Sequence, residues 1–228
     1  MAKNNSMTVR LEDMLEYDPI TINQKAAFQA WEENDNLVLA GSAGTGKTFI
    51  AMYMALEEML DPDSVYRQVI IVRSVVPTRE IGFLPGTAEE KKAMYQIPYK
   101  NICEELFNDK GVYGKLATAG KIQFESTSFI RGQTWNESIV IVDEMQNMTF
   151  HELDSVITRI GQGSKIIFCG DYRQSDFKYQ DEKDGVFRFI SIVEQMKDFS
   201  IIQFGWEDIV RSGMVRDYLM TKEMLGIG

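Results

Sequence analysis

Six short apolar runs punctuate the chain: LVLA at 37–40, QVIIVR at 68–73, KIQFES at 121–126, SIVIVDE at 138–144, KIIFCGD at 165–171 and SIIQF at 200–204. They are rich in Ile and Val and almost unbroken by polar residues, as strands buried on both faces are. Stretches with helical patterning lie between them, KTFIAMYMALEEML at 47–60 being the clearest. Thr87 with Glu90, and Thr149 with Glu152, have the spacing of capping boxes that open helices. The alternation predicts an α/β fold, a mostly parallel sheet with helices on both faces. The longest interruption, residues 74–120, separates two strands and carries the turn GFLPG together with helical material. It reads as an insertion or an elaborated crossover.

The first strand runs straight into GSAGTGKT, residues 41–48, which fits G-x-x-x-x-G-K-[ST]. Gly41, Gly44 and Gly46 allow the chain to wrap a phosphate and aim N–H groups at it, and Ser42, Ala43, Thr45 and Phe49 complete the loop and the helix start. Lys47 adds a charge near the outer phosphates, and the Thr48 hydroxyl is a candidate Mg²⁺ ligand. The helix that follows turns its positive end to the same phosphates. Strand before and helix after are the context this motif demands. In SIVIVDEMQ, Asp143 at a strand end is placed to reach the Mg²⁺ shell through water, and Glu144 to polarise an attacking water. Gln174 in GDYRQ is placed to contact the γ-phosphate or that water, and Asp171 to support the metal. Gln24, shortly before the loop, has the amide geometry that reads the N6/N7 edge of adenine. ATP and Mg²⁺ are the cofactors these residues call for.

Composition narrows the setting. No apolar run approaches the ~20 residues of a membrane span, and the N-terminus lacks an apolar signal core, so cytoplasmic residence and no membrane partner are expected. Cys103 and Cys169 stand alone, with no C-x-x-C, and read as reduced packing thiols. His151, the only histidine, reads as a helix-start residue. The net charge of −10 argues against wholesale nucleic-acid binding. It is uneven, however: residues 67–131 hold ten Lys/Arg against seven Asp/Glu. Aromatics such as Phe83, Tyr95, Tyr99, Phe107 and Tyr113 interleave with those bases. A basic strip with aromatics suits single-stranded nucleic acid, and on composition alone a core with solvated charges is the better reading.

Several segments together resemble the PhoH family, P-loop ATPases related to superfamily-one helicases: GSAGTGKT, RSVVPTREIGFLPGTAEEK, FIRGQTW, IVDEMQNMT, TRIGQGSK, GDYRQSD and DIVRSGMV. The likeness runs from Pro19 to Tyr218. Ser74, Met145 and Ser212 stand where many members have Pro, Ala and His. The resemblance implies a RecA-like core over residues 19–228, preceded by an extension, residues 1–18. It implies ATP hydrolysis with Lys47, Thr48, Asp143, Glu144 and Gln174 in the roles above. It also implies RNA or single-stranded DNA as partner, through Arg73, Arg79, Lys91, Lys92 and Arg131. Thymidine kinases also pair a P-loop with DE-x-Q, but their zinc site needs C-x-x-C pairs that two isolated cysteines do not supply. A nucleotide-dependent assembly protein with slow hydrolysis is the remaining alternative. Superfamily-one helicases place ATP between two cores, the second supplying an arginine; too little chain follows Gln174 for a second core. The arginine then comes from the same core or from a neighbouring copy in a ring-shaped homo-oligomer, six subunits being favoured. Arg211 in WEDIVRSGM is the first candidate and Arg159 in TRIG the second.

Overall fold

Every apolar run is a strand in the computed structural model, which describes residues 8–75, 88–171 and 180–225. The expectations for Arg79, Thr87 and Gln174, for the GFLPG turn and for the side chain of Lys91 lie outside the described residues. In chain order the elements are α1 (Ile22–Glu32), β1 (Asn36–Gly41), α2 (Lys47–Leu60), β2 (Gln68–Arg73), α3 (Ala88–Tyr95), α4 (Ile97–Phe107) and α5 (Val112–Thr118). There follow β3 (Ile122–Ser126), β4 (Ser138–Val142), α6 (Phe150–Ile157), β5 (Lys165–Gly170), α7 (Gln180–Val193), β6 (Phe199–Phe204) and α8 (Gly213–Met224).

The strands form one six-stranded sheet in the order β3-β2-β4-β5-β1-β6, and every neighbouring pair is parallel. Each central strand is apolar on both sides because both faces are covered. In β4, Ile139 and Ile141 pack with α1, α2, α4 and α5, while Val140 and Val142 pack with α6 and α7. Side chains alternate across a strand, so neighbouring residues serve the two separate cores. The edge strand β6 is only half-buried over most of its length.

Two observations bear on the organisation. Within the long interruption, the described residues 88–120 pack onto the main sheet: Tyr99, Cys103, Leu106 and Leu116 are buried in the same core as β2 and β3. The stretch before Pro19 also joins the core. Leu15 N–H donates to Leu106 O at 2.7 Å, and the Tyr17 ring lies 5.0 Å from that of Phe49. Both cysteines are buried thiols, and burial pushes Cys103 up to about 12, which keeps it protonated and unreactive. Thr149 and Glu152 form the expected capping box at the start of α6, with exposed His151 in its first turn.

All six strands point the same way, so their carboxyl ends lie along one edge. The loop after β1, Arg73 at the end of β2, Thr127 after β3, the Asp143–Glu144 pair after β4 and Asp171 after β5 all lie there. Ligands of open parallel sheets bind outside these ends.

Candidate nucleotide site

The loop between β1 and α2 uses glycine where no other residue fits. Gly41, Gly44 and Gly46 have φ of +130°, +79° and +81°. A Cβ at Gly41 would overlap the carbonyl oxygen of Phe204 on β6 and lie 2.9 Å from its carbon. Gly46 caps α2 in the left-handed conformation, leaving the first N–H groups of the helix facing the loop. Inside this cradle Lys47 Nζ donates to the carbonyls of Gly41 and Ser42, both at 2.7 Å. Burial pulls its ammonium below the ordinary lysine value, opposed by the carboxylates of Asp171, Glu144 and Asp143. Thr45 is fully buried and braces the loop by donating from Oγ1 to Ser42 O at 3.0 Å.

Across β5 from the loop, β4 delivers the acids. The strand stops at Val142 rather than running on to Glu144. Asp143 still donates its N–H to Val72 O at 2.9 Å, whereas Glu144 turns to φ 54°, ψ 43°, which breaks the ladder. Asp143 Oδ1 accepts from Thr48 Oγ1 at 2.8 Å, and Oδ2 accepts from Tyr99 Oη at 2.8 Å. Adjacent oxygens of an Mg²⁺ octahedron stand about 3.0 Å apart, given Mg–O distances of about 2.1 Å. A hydroxyl and one carboxylate at 2.8 Å are therefore a fitting pair of hard donors, with water and phosphate left to fill the other positions. Glu144 is held above the ordinary carboxylate range, first by burial and then by Asp143. Gln146 Nε2 donates to Glu144 Oε2 at 2.5 Å, and Gln146 Oε1 accepts from Asp171 N at 3.1 Å. The amide so ties the second acid to the end of β5.

Other expected residues fall elsewhere. Gln24 lies beneath the loop, fully buried. Its Oε1 accepts from Ile20 N at 2.9 Å and Tyr17 Oη at 3.1 Å, and Nε2 reaches Thr45 O at 3.5 Å. The amide braces the loop from below, and reading an adenine edge would require it to give up these partners. Arg211 stands on the loop of its own chain. Val210 N donates to Gly44 O at 3.2 Å, and a Cβ at Gly44 would be 3.2 Å from Arg211 Cγ. Arg159 is at the other end of the sheet, where its carbonyl accepts from Trp135 N at 2.9 Å, just before β4 begins.

The basic strip divides. Arg73 is half-buried beside the acids, not on an open face. Burial works against its charge, but Tyr99, Asp143 and Glu144 outweigh it and hold the guanidinium above its ordinary value. Its Cζ lies 5.5 Å from the Tyr95 ring centroid, and Lys92 Nζ lies 5.9 Å from that of Phe124. Arg131 is exposed on the loop after β3. Of the aromatics, Tyr99, Phe107 and Tyr113 are core residues, so most of the interleaving is packing. Phe129, missed by a reading of the strip as a whole, is 69% exposed two residues before Arg131. Tyr99 and Gln146 were also missed as members of the site. The DEMQ spacing was a signal for Gln146; Tyr99 had none, since only the fold brings α4 to β4. A cavity of about 830 Å³, lined by Arg10, Tyr53, Tyr66 and Lys121, lies at the far end of the sheet and has no part in this site.

With this geometry in hand, comparison with known proteins decides the kinship. A family model described as PhoH-like protein matches residues 16–222. The chain belongs to the PhoH-like family. It is 38% identical to Protein PhoH2 of Bacillus subtilis over 185 residues, covering 78% of this chain and 41% of that protein. It is 30% identical to Protein PhoH of Escherichia coli over 207 residues, covering 89% and 58%. This PhoH-like chain thus spans about half the length of the curated relatives it matches. Among solved structures it is similar to the large terminase of a thermophilic bacteriophage, with a TM-score of 0.52 at 14% identity over 91% of this chain and 50% of that one. That likeness is one of fold, the RecA-like P-loop NTPase architecture. No helix among the described residues is long and apolar enough to cross a membrane.

Proposed function

We propose that the chain binds ATP with Mg²⁺, hydrolyses its β–γ bond, and couples this to RNA or single-stranded DNA, working as a ring of identical copies. The observation that carries the reading is the convergence of Lys47, the Thr48–Asp143 pair at 2.8 Å and Glu144 on one sheet edge. Lys47 exchanges the two loop carbonyls it now holds for phosphate oxygens, a stronger charge-assisted contact. Bound Mg²⁺ would neutralise charge on the β- and γ-phosphates. Glu144, with a carboxylate made more basic by burial and by Asp143, orients and polarises the attacking water. Exposed Arg131 and Phe129 on the loop after β3 support a single-stranded partner, one offering charge for phosphates and the other a face for a base.

The test pairs nucleotide binding with phosphate release, each with and without short single strands at rising salt. Lys47→Ala should lose tight binding, and Glu144→Gln should keep it while turnover stops. Strand affinity should fall steeply with salt if phosphates are contacted. Hydrolysis by Glu144→Gln at the parental rate refutes the base assignment. Turnover indifferent to every strand favours an assembly protein with slow hydrolysis.

A further inference from the structure

Tyr99 is fully buried, although it carries a hydroxyl and belongs to the crossover between β2 and β3. Its ring lies 5.8 Å from that of Phe124 on β3, and Cys103 and Leu106 further along α4 are equally sunk in the core. The helix that holds Tyr99 is therefore anchored, and the hydroxyl reaches only the end of β4. There it donates to Asp143 Oδ2 at 2.8 Å. The direction of that bond follows from its partners: a carboxylate only accepts, so the phenol hydrogen goes to Asp143. Burial first, and the Asp143 charge next, push the phenol well above its ordinary value, so it remains a donor.

An aspartate's terminal torsion is soft and nearly two-fold, so an unpartnered carboxylate turns freely. Here one oxygen is held by Tyr99 and the other faces Thr48. We propose that Tyr99 is the positioning residue of the metal site: it fixes Asp143 Oδ2 so that Oδ1 faces Thr48, and through it α4 sets the affinity for Mg²⁺. The inference rests on the nucleotide-and-Mg²⁺ reading above. Its wider consequence is geometric. Lys92 and Tyr95 on α3 precede α4 with one residue between the helices, and Tyr95 also faces Arg73. A partner bound on α3 therefore has a short path to the carboxylate that holds the metal.

The experiment titrates Mg²⁺ into the full chain with a fluorescent ADP analogue, read as binding and not as turnover. Tyr99→Phe keeps the ring and removes only the hydroxyl. Its affinity for the analogue in EDTA should match the parent, while the Mg²⁺ concentration at half-tightening should rise about tenfold, the low end of what loss of a ligand's hydrogen-bond partner costs. Melting temperatures check folding, and a cycle with Asp143→Asn isolates the path. In that background, which lacks the carboxylate, removing the hydroxyl should leave the Mg²⁺ midpoint where it was. An unchanged midpoint in Tyr99→Phe, a matching loss in EDTA, or a full shift in the Asp143→Asn background overturns the proposal. A parent that binds no analogue overturns the function reading and this inference with it. Normal parental Mg²⁺ dependence beside any of the other failures overturns Tyr99 alone.

Discussion

Gly41→Ala tests whether the phosphate loop is held down by the edge strand β6. The added methyl group would overlap Phe204 O and come within 2.9 Å of Phe204 C and 3.0 Å of Phe204 N. These are backbone atoms of a strand paired along β1 from Asn36 to Gly41, so no side chain can swing aside. Two costs add. Holding alanine at φ +130° costs about 1–3 kcal/mol, and forcing the strand to give way costs about 1–3 kcal/mol more. Together they make about 4 kcal/mol, which lowers Tm by about 8–16 °C at about 2–4 °C per kcal/mol for a domain of this size. Gly120→Ala is the control. Its φ is +69°, but nothing lies within 4 Å of the added carbon. It should cost about 1 kcal/mol, the left-handed penalty less the gain from a stiffer unfolded chain. Thermal melts followed by circular dichroism would compare the two. Equal shifts would show that β6 does not crowd the loop and that the contact with Phe204 is not what demands glycine.

Two further outcomes follow from the charges of the site. Glu144 has its carboxyl raised in the folded chain, so folding opposes its ionisation; that cost is present above the raised value and is relieved as pH falls towards the unfolded one. Glu144→Gln should therefore melt higher than the parent at pH 8, with the gap closing towards pH 4.5, and a gap that widens on acidification contradicts the burial argument. Arg211→Ala should slow hydrolysis at least ~10³-fold if the arginine meets the γ-phosphate, and mixing it with Glu144→Gln in co-assembled particles shows whether activity returns between copies.

The fold was legible because each strand is a continuous apolar run, and such runs mean burial on both faces wherever they occur. Strand ends were less so. SIVIVDE looks unbroken, yet Glu144 leaves the ladder at a positive φ, a choice imposed by the turn towards Gln146 and not by local propensity. The loop and its acids were legible because GKT and DE each carry their chemistry within a few residues. What holds them was not. Tyr99 meets Asp143 from 44 residues away, and its neighbours in sequence read only as a helix with a basic flank. The aromatic spacing of the strip misled for the same reason. Tyr99, Phe107 and Tyr113 serve the core beneath the crossover, and periodicity does not say which of two buried faces a helix will find.

The two candidate arginines are separated by the sheet itself, and this changes what a shared site can mean. Arg159 follows α6, which starts near the carboxyl ends of the strands and runs back to their amino ends. Its carbonyl is bonded to Trp135, three residues before β4. A five-residue strand is about 16 Å long, so Arg159 is more than a strand's length from its own phosphate loop. It can reach a nucleotide only in another copy. Arg211 has the opposite constraint. Its stem lies on Gly44 and the residue before it bonds the Gly44 carbonyl, while the side chain remains exposed. It already lies on the glycine loop of its own chain and needs no neighbour to arrive there. Restored activity in the mixture described above would require Arg211 to leave this position and cross to the next copy. A mixture that stays dead while co-assembled is what the geometry of Gly44 and Val210 predicts, and it would leave Arg159 as the residue through which one copy could act on another.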